Sequence, residues 1–143
     1  MQENTIHTTV TIHAPAARVW AVLADFPGYA GWNPVLEYLS GTADPGADVL
    51  TRAAKGTPAE RDFPGTVIEA VPGKLLVTEG GDPAMLHGRH RWELSEVNGY
   101  TVLVNSETLT GALADSVLGE HRAALTAEFD AFNEALKTEA ERD

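Results

Sequence analysis

Cysteine is missing from all 143 residues, which removes any disulfide framework, thiolate metal site or cysteine nucleophile. Basic residues are scarce: ten Lys and Arg stand against 21 Asp and Glu, giving a net charge of -11. Phosphate backbones and anionic membrane surfaces are neutralised by clustered Lys and Arg. No such stripe occurs here, so neither nucleic acid nor membrane is an expected partner. Long hydrophobic runs are lacking too, and none approaches the roughly 20 residues that span a bilayer. The opening Met1-Gln2-Glu3-Asn4-Thr5 has neither the basic segment nor the apolar stretch of a signal peptide. Together these absences fit a cytoplasmic protein. No His-x-x-x-His or His-x-His occurs, and His87 and His90, three apart on a strand, fall on opposite faces, so no metal is expected. Gly-x-Ser-x-Gly, the phosphate loop and the dinucleotide fingerprint are all missing, so no cofactor is expected.

What is present is an ordinary globular balance, 43% hydrophobic and 22% charged. The length fits one domain over residues 1–143. Ile6, Thr8, Val10 and Ile12 alternate with polar neighbours, a strand pattern. Pro15 suits the first turn of a helix, where its missing N–H costs nothing. Val19, Trp20, Val22 and Leu23 give that helix an apolar face. Pro27 and Gly28 end it, with a second helical turn around Tyr29. Further strands are expected over 35–40, 49–54, 66–71, 74–79, 89–95 and 100–110, with loops over 55–65 and 80–88. Asn98-Gly99 signals a hairpin. A long helix runs from 112 to about 138. Strands followed by a helix argue for α+β, an antiparallel sheet backed by that helix.

Three stretches, in this order, resemble the START-like (SRPBCC) superfamily, the fold of polyketide cyclases and of many lipid and hormone binders. They are Ala14-Pro15 through Trp20 with Trp32-Asn33-Pro34; His90-Arg91-Trp92-Glu93-Leu94; and Glu107 with Gly111-Ala112-Leu113 leading into the last helix. The tail from Phe129 to Lys137 is similar as well. The resemblance covers nearly the whole chain, and the three stretches look like one branch of small bacterial members. It implies a helix-grip fold: a curved antiparallel sheet of about seven strands wrapped around a long C-terminal helix, with one or two short helices after the first strand. It also implies an internal cavity for a hydrophobic small molecule. A clear aromatase/cyclase set of arginine and tyrosine is not found, which weakens aromatic polyketide chemistry in particular.

Candidate site residues follow from which faces line that cavity. On strand 89–95, His90, Trp92 and Leu94 share one face, and the apolar set should point inward; the plainer alternative for His90 is a rim position in water. On strand 100–110, Leu103, Asn105, Glu107 and Leu109 share one face and Val102, Val104, Ser106 and Thr108 the other. Period does not choose between them, and the resemblance favours Glu107 inward. His90 and Glu107 then pair across neighbouring strands as an acid/base dyad. On the last helix, His121, Leu125, Glu128 and Phe132 fall on the side that carries Leu118 and Leu136, so His121 and Glu128 are placed at the cavity roof. The plainer readings are a hydrogen-bonded core histidine and a glutamate that snorkels out. Trp32 and Asn33 either lock a turn or reach a ligand at the cavity mouth. Met85 and Leu86, between glycines, form either a lid over a greasy ligand or a satellite contact.

With these residues the resemblance implies a cofactor-independent biosynthetic cyclase or dehydratase acting on a polyketide-type carbonyl compound, a lyase or isomerase chemistry of natural-product biosynthesis. His90, Glu107 and His121 are its candidate catalytic groups. A non-catalytic carrier or sensor of an apolar ligand needs the cavity without the proton chemistry. A protein-interaction module would show an exposed apolar patch and a collapsed interior. Monomer and homodimer are both open.

Overall fold

A computed structural model describes residues 4–142. β1 (Thr5–Ile12) buries Ile6, Thr8 and Ile12 and turns His7, Thr9 and Thr11 outward, as the alternation predicts. Pro15 caps α1 (Ala16–Leu23), which buries Val19, Val22 and Leu23. A 3-10 turn over Phe26–Gly31, with Pro27 in its first turn, buries Phe26 and Tyr29. The Tyr29 hydroxyl donates to the Leu23 carbonyl at 2.5 Å, fastening the turn to the helix. Asn33 then reverses the chain. Its Oδ1 accepts from the backbone N–H of Val35 and of Leu36, each at 2.9 Å.

Six strands follow: β2 (Leu36–Ser40), β3 (Asp48–Ala53), β4 (Arg61–Val71), β5 (Leu75–Asp82), β6 (Leu86–Val97) and β7 (Tyr100–Thr110); α2 (Ala114–Glu141) ends the chain. All seven strands form one antiparallel sheet in the order β1-β7-β6-β5-β4-β3-β2, curled around α2. This is the helix-grip arrangement. Between β6 and β7, Asn98 and Gly99 both take positive φ, as a two-residue hairpin turn requires.

Two expected loops are strand in part. β4 begins at Arg61, because residues 61–65 pair with β3. Pairing of β4 with β5 starts only at Thr66, so Pro64 lies where one neighbour is unpaired and its missing N–H is tolerated. The 80–88 segment is a hairpin tip rather than an open loop. Gly80, Gly81 and Asp82 pair with Gly88, His87 and Leu86, leaving residues 83–85 as the turn. Glycine in a strand carries no side-chain period, so the pattern hid the pairing. The Met85 carbonyl accepts from Leu113 N–H at 2.8 Å, tying this turn to the start of α2.

α2 packs chiefly against β1 and α1. Its C-terminal end is latched to β1: Lys137 Nζ donates to the Thr11 carbonyl at 3.1 Å, and Glu141 Oε2 accepts from His13 N–H at 2.8 Å. The hydrogen bond from Lys137, then that from the His13 backbone, hold the Glu141 carboxyl below its usual range. Two apolar clusters result. One gathers Ile12, Leu23, Phe26, Tyr29, Leu76, Trp92, Leu103, Phe132 and Leu136. The other joins Ile6, Leu109, Ala114, Leu118 and Phe129.

Candidate functional site

Side chains from both clusters line a cavity of about 450 Å³ between the concave sheet and α2. That volume lies within the range of small-molecule sites. Its walls are mostly apolar: Leu36, Val49, Leu86, Leu109, Leu125, Phe129 and Phe132 among them. Polar groups enter from the sheet at Tyr38, His90, Asn105 and Glu107 and from α2 at Glu128, with Arg61, Asp62 and Glu79 also in the lining.

β6 and β7 place the dyad. His90 and Glu107 are direct register partners, and both face the cavity. His90 Nδ1 lies 3.7 Å from Glu107 Oε2, too far for a direct hydrogen bond. The inward face of β7 is therefore the one carrying Leu103, Asn105, Glu107 and Leu109, which settles what alternation left open. The His90 ring stacks on Trp92 with centroids 3.9 Å apart and planes at 11°, and tilts against Phe129 at 4.8 Å. The imidazole is thus held in one orientation by two aromatic neighbours. The Trp92 indole N–H is buried and has no hydrogen-bond partner among the described residues.

Gly88, two residues before His90 on the same face, makes room for the carboxylate. A Cβ there would sit 2.7 Å from Glu107 Oε2. Behind the dyad lies a buried polar chain. His90 Nε2 meets Asn105 Oδ1 at 2.5 Å, Asn105 Nδ2 donates to Asn133 Oδ1 at 2.9 Å, and Asn133 Nδ2 donates to Thr8 Oγ1 at 2.9 Å. The Thr8 hydroxyl donates in turn to the Asn105 carbonyl at 2.9 Å. Asn105 and Asn133 are 1% and 2% exposed, so these bonds satisfy groups that water does not reach.

Tyr38 stacks on Phe26 with centroids 3.7 Å apart and lines the cavity. Burial pushes its phenol well above the usual range, so the hydroxyl keeps its proton. At the open side, Arg61 from the start of β4 reaches Glu128 on α2 at 3.0 Å, bridging sheet and helix across the cavity.

Of the residues the sequence singles out, His90, Glu107, Leu86, Trp92, Asn105, Leu125 and Glu128 line this cavity. Four others do not. His121 is 59% exposed, and its contact is Glu120 at 3.7 Å. Residues 119–124 are all exposed, and that turn meets the sheet through the Arg122 guanidinium, which donates to the Thr5 carbonyl at 2.9 Å, rather than through an apolar face. A helical wheel assumes contact along the whole helix, and here the contact lapses. Trp32 packs on Tyr29 and Phe132, Asn33 is spent on the turn before β2, and Met85 sits on the hairpin tip, 47% exposed. Thr8, Tyr38 and Asn133 escaped the sequence reading. For Asn133 a signal exists: it stands four after Phe129 and three before Leu136, a polar side chain inside an apolar stripe. No group of three or more possible metal ligands occurs among the described residues. No helix among them is long and apolar enough to cross a membrane.

A family model described as polyketide cyclase / dehydrase and lipid transport matches residues 4–141. No curated protein matches by sequence. Solved structures share the fold. Protein CV1439 from Chromobacterium violaceum is 19% identical, with a TM-score of 0.78 over 98% of this chain and 99% of that one. The Zhui aromatase/cyclase from Streptomyces sp. R1128 is 26% identical, with a TM-score of 0.69 over 96% and 93%. The di-domain ARO/CYC BexL from the BE-7585A biosynthetic pathway is 18% identical, with a TM-score of 0.73, and the chain spans 52% of it.

Proposed function

The chain belongs to the polyketide cyclase/dehydrase and lipid transport family, and from that premise we propose that its cavity takes an apolar, polyketide-type carbonyl compound on which His90 and Glu107 act as acid and base. The observation that carries this reading is the dyad itself. An imidazole and a carboxylate face each other on adjacent strands, in a chamber whose walls are mostly apolar. Proton transfer by positioned groups typically contributes roughly 10²–10⁴-fold to rate.

The chemistry needs no electron carrier. One member of the dyad takes a proton from a carbon flanked by carbonyls. The resulting enolate carbon attacks a second carbonyl carbon, closing a ring, and the new alkoxide takes back the proton that the dyad now holds. Loss of a second C–H proton with departure of the hydroxyl as water completes a dehydration. The Tyr38 hydroxyl, kept protonated by burial, is a candidate donor to the developing oxyanion. Apolar walls exclude water and strengthen each of these contacts.

The test is turnover of a synthetic poly-β-ketone thioester by the wild type, His90→Ala and Glu107→Gln, with product followed by mass spectrometry. Losses of about 10²-fold or more in both variants, with substrate still bound, support the dyad. Unchanged turnover in both ends it. The mostly apolar lining also favours a second reading, a carrier. Tight binding of the same compound with no product from the wild type would select that one.

A further inference from the structure

We infer that the buried chain Thr8–Asn133–Asn105 fixes His90 as its Nε2–H tautomer, so that the cavity meets two hydrogen-bond acceptors side by side and takes a ligand carrying an acidic O–H, an enol or a phenol, against them. The argument is donor accounting. A backbone carbonyl only accepts, so the Thr8 hydroxyl spends its one proton on the Asn105 carbonyl. Thr8 Oγ1 must then accept from Asn133, which presents Nδ2 to it and leaves Oδ1 for Asn105. Asn105 accordingly presents Nδ2 to Asn133 and Oδ1 to His90. An acceptor at 2.5 Å from Nε2 requires the proton on Nε2.

The neutral imidazole therefore turns a bare Nδ1 toward Glu107 Oε2, 3.7 Å away. Glu107 has no other ion-pair or hydrogen-bond partner among the described residues. Two acceptors without a donor between them leave one hydrogen-bond need for a ligand to supply. Thr8, Asn133 and Asn105 are positioning residues in this scheme. The tautomer stands whether or not the protein is an enzyme, whereas the ligand class rests on the cavity being a small-molecule site as proposed above.

Protein with ¹⁵N-labelled histidine, at a pH about two units above the usual imidazole value, reports the tautomer by NMR, with His90 assigned by loss of its signals in His90→Gln. The expected wild-type spectrum shows the proton on Nε2; a proton on Nδ1 overturns the inference without any variant. Thr8→Val, close to the native shape, frees Asn133 to turn and should mix the two tautomers, and Thr8→Ser should restore one. An unchanged tautomer in Thr8→Val would show that the chain does not set it. The ligand class is read by titrating 2-naphthol against 2-methoxynaphthalene. Preference for the naphthol by about tenfold or more, lost in Glu107→Gln, supports it, and equal affinities overturn it. If neither probe binds, the ligand class is overturned, the small-molecule reading is decided by the thioester assay above, and the NMR result still decides the tautomer.

Discussion

Glu107 reaches the cavity because residue 88 has no side chain. The nearest atoms to a Cβ at Gly88 are the Glu107 carboxylate at 2.7 and 3.3 Å and Leu109 Cδ2 at 3.4 Å. The first of these is the end of a flexible side chain, so the conflict is relieved by moving the carboxylate. Gly88→Ala should therefore leave the melting temperature within a few degrees of wild type, about 1 kcal/mol or less. Turnover of the thioester, or naphthol affinity, should fall about tenfold as Glu107 swings off His90. A calorimetric melt beside the assay separates the two effects, and a large drop in melting temperature would show that the backbone gives way instead. At this scale the sequence disclosed a good deal. The alternation put His90, Trp92 and Leu94 on one face and favoured that face as the inward one without help from tertiary structure. The mixed faces of β7 did not, since Asn105 and Glu107 are polar residues on the inward side. Only the buried partners of Asn105, on β1 and α2, make that side satisfiable.

α2 joins its neighbours unevenly along its length. Its last turns are latched to β1, and its first buried residues, Ala114 and Leu118, close on Ile6 and Leu109. Between them the exposed 119–124 stretch makes no core contact, and the Arg61–Glu128 pair then bridges to β4. Arg61 is 43% exposed, so the pair contributes at most about 1 kcal/mol after solvent screening. Its importance lies in spanning the open side of the chamber. Arg61→Ala should keep the melting temperature nearly unchanged and speed both binding and release of 2-naphthol several-fold in stopped-flow fluorescence. Unaltered rates would mean that ligands enter elsewhere. Element boundaries were the least legible part of the sequence. Pro64 and the paired glycines of β5 and β6 carry loop chemistry, yet they lie in strands whose partners supply the ladder. His121 failed for a related reason, because helical periodicity locates a face but not where along the helix that face is covered.

At the level of the whole molecule, the curled sheet and the single long helix meet along one side and part along the other, and the hollow is what remains between them. Leu125→Trp, projecting from α2 into that hollow, should raise or leave unchanged the melting temperature while lowering affinity for naphthol by about tenfold or more. A destabilised variant that still binds at full strength would argue that the space is not where the ligand goes. The overall architecture was legible because strand order, hairpin chemistry at Asn98-Gly99 and the terminal helix agree with one another. The polar chain behind the dyad was not, because it is assembled from three elements far apart in sequence.

Trp92 and Phe132 belong to the core and to the chamber wall at once. Leu86, Val117 and Leu125 touch the chamber but lie only partly buried at the margin of the smaller cluster. Descendants of this chain that drift toward a differently shaped guest are thus constrained unequally. Change at the two aromatics jeopardises folding itself, whereas the three aliphatic positions offer ground on which preference can diverge while the scaffold stays whole.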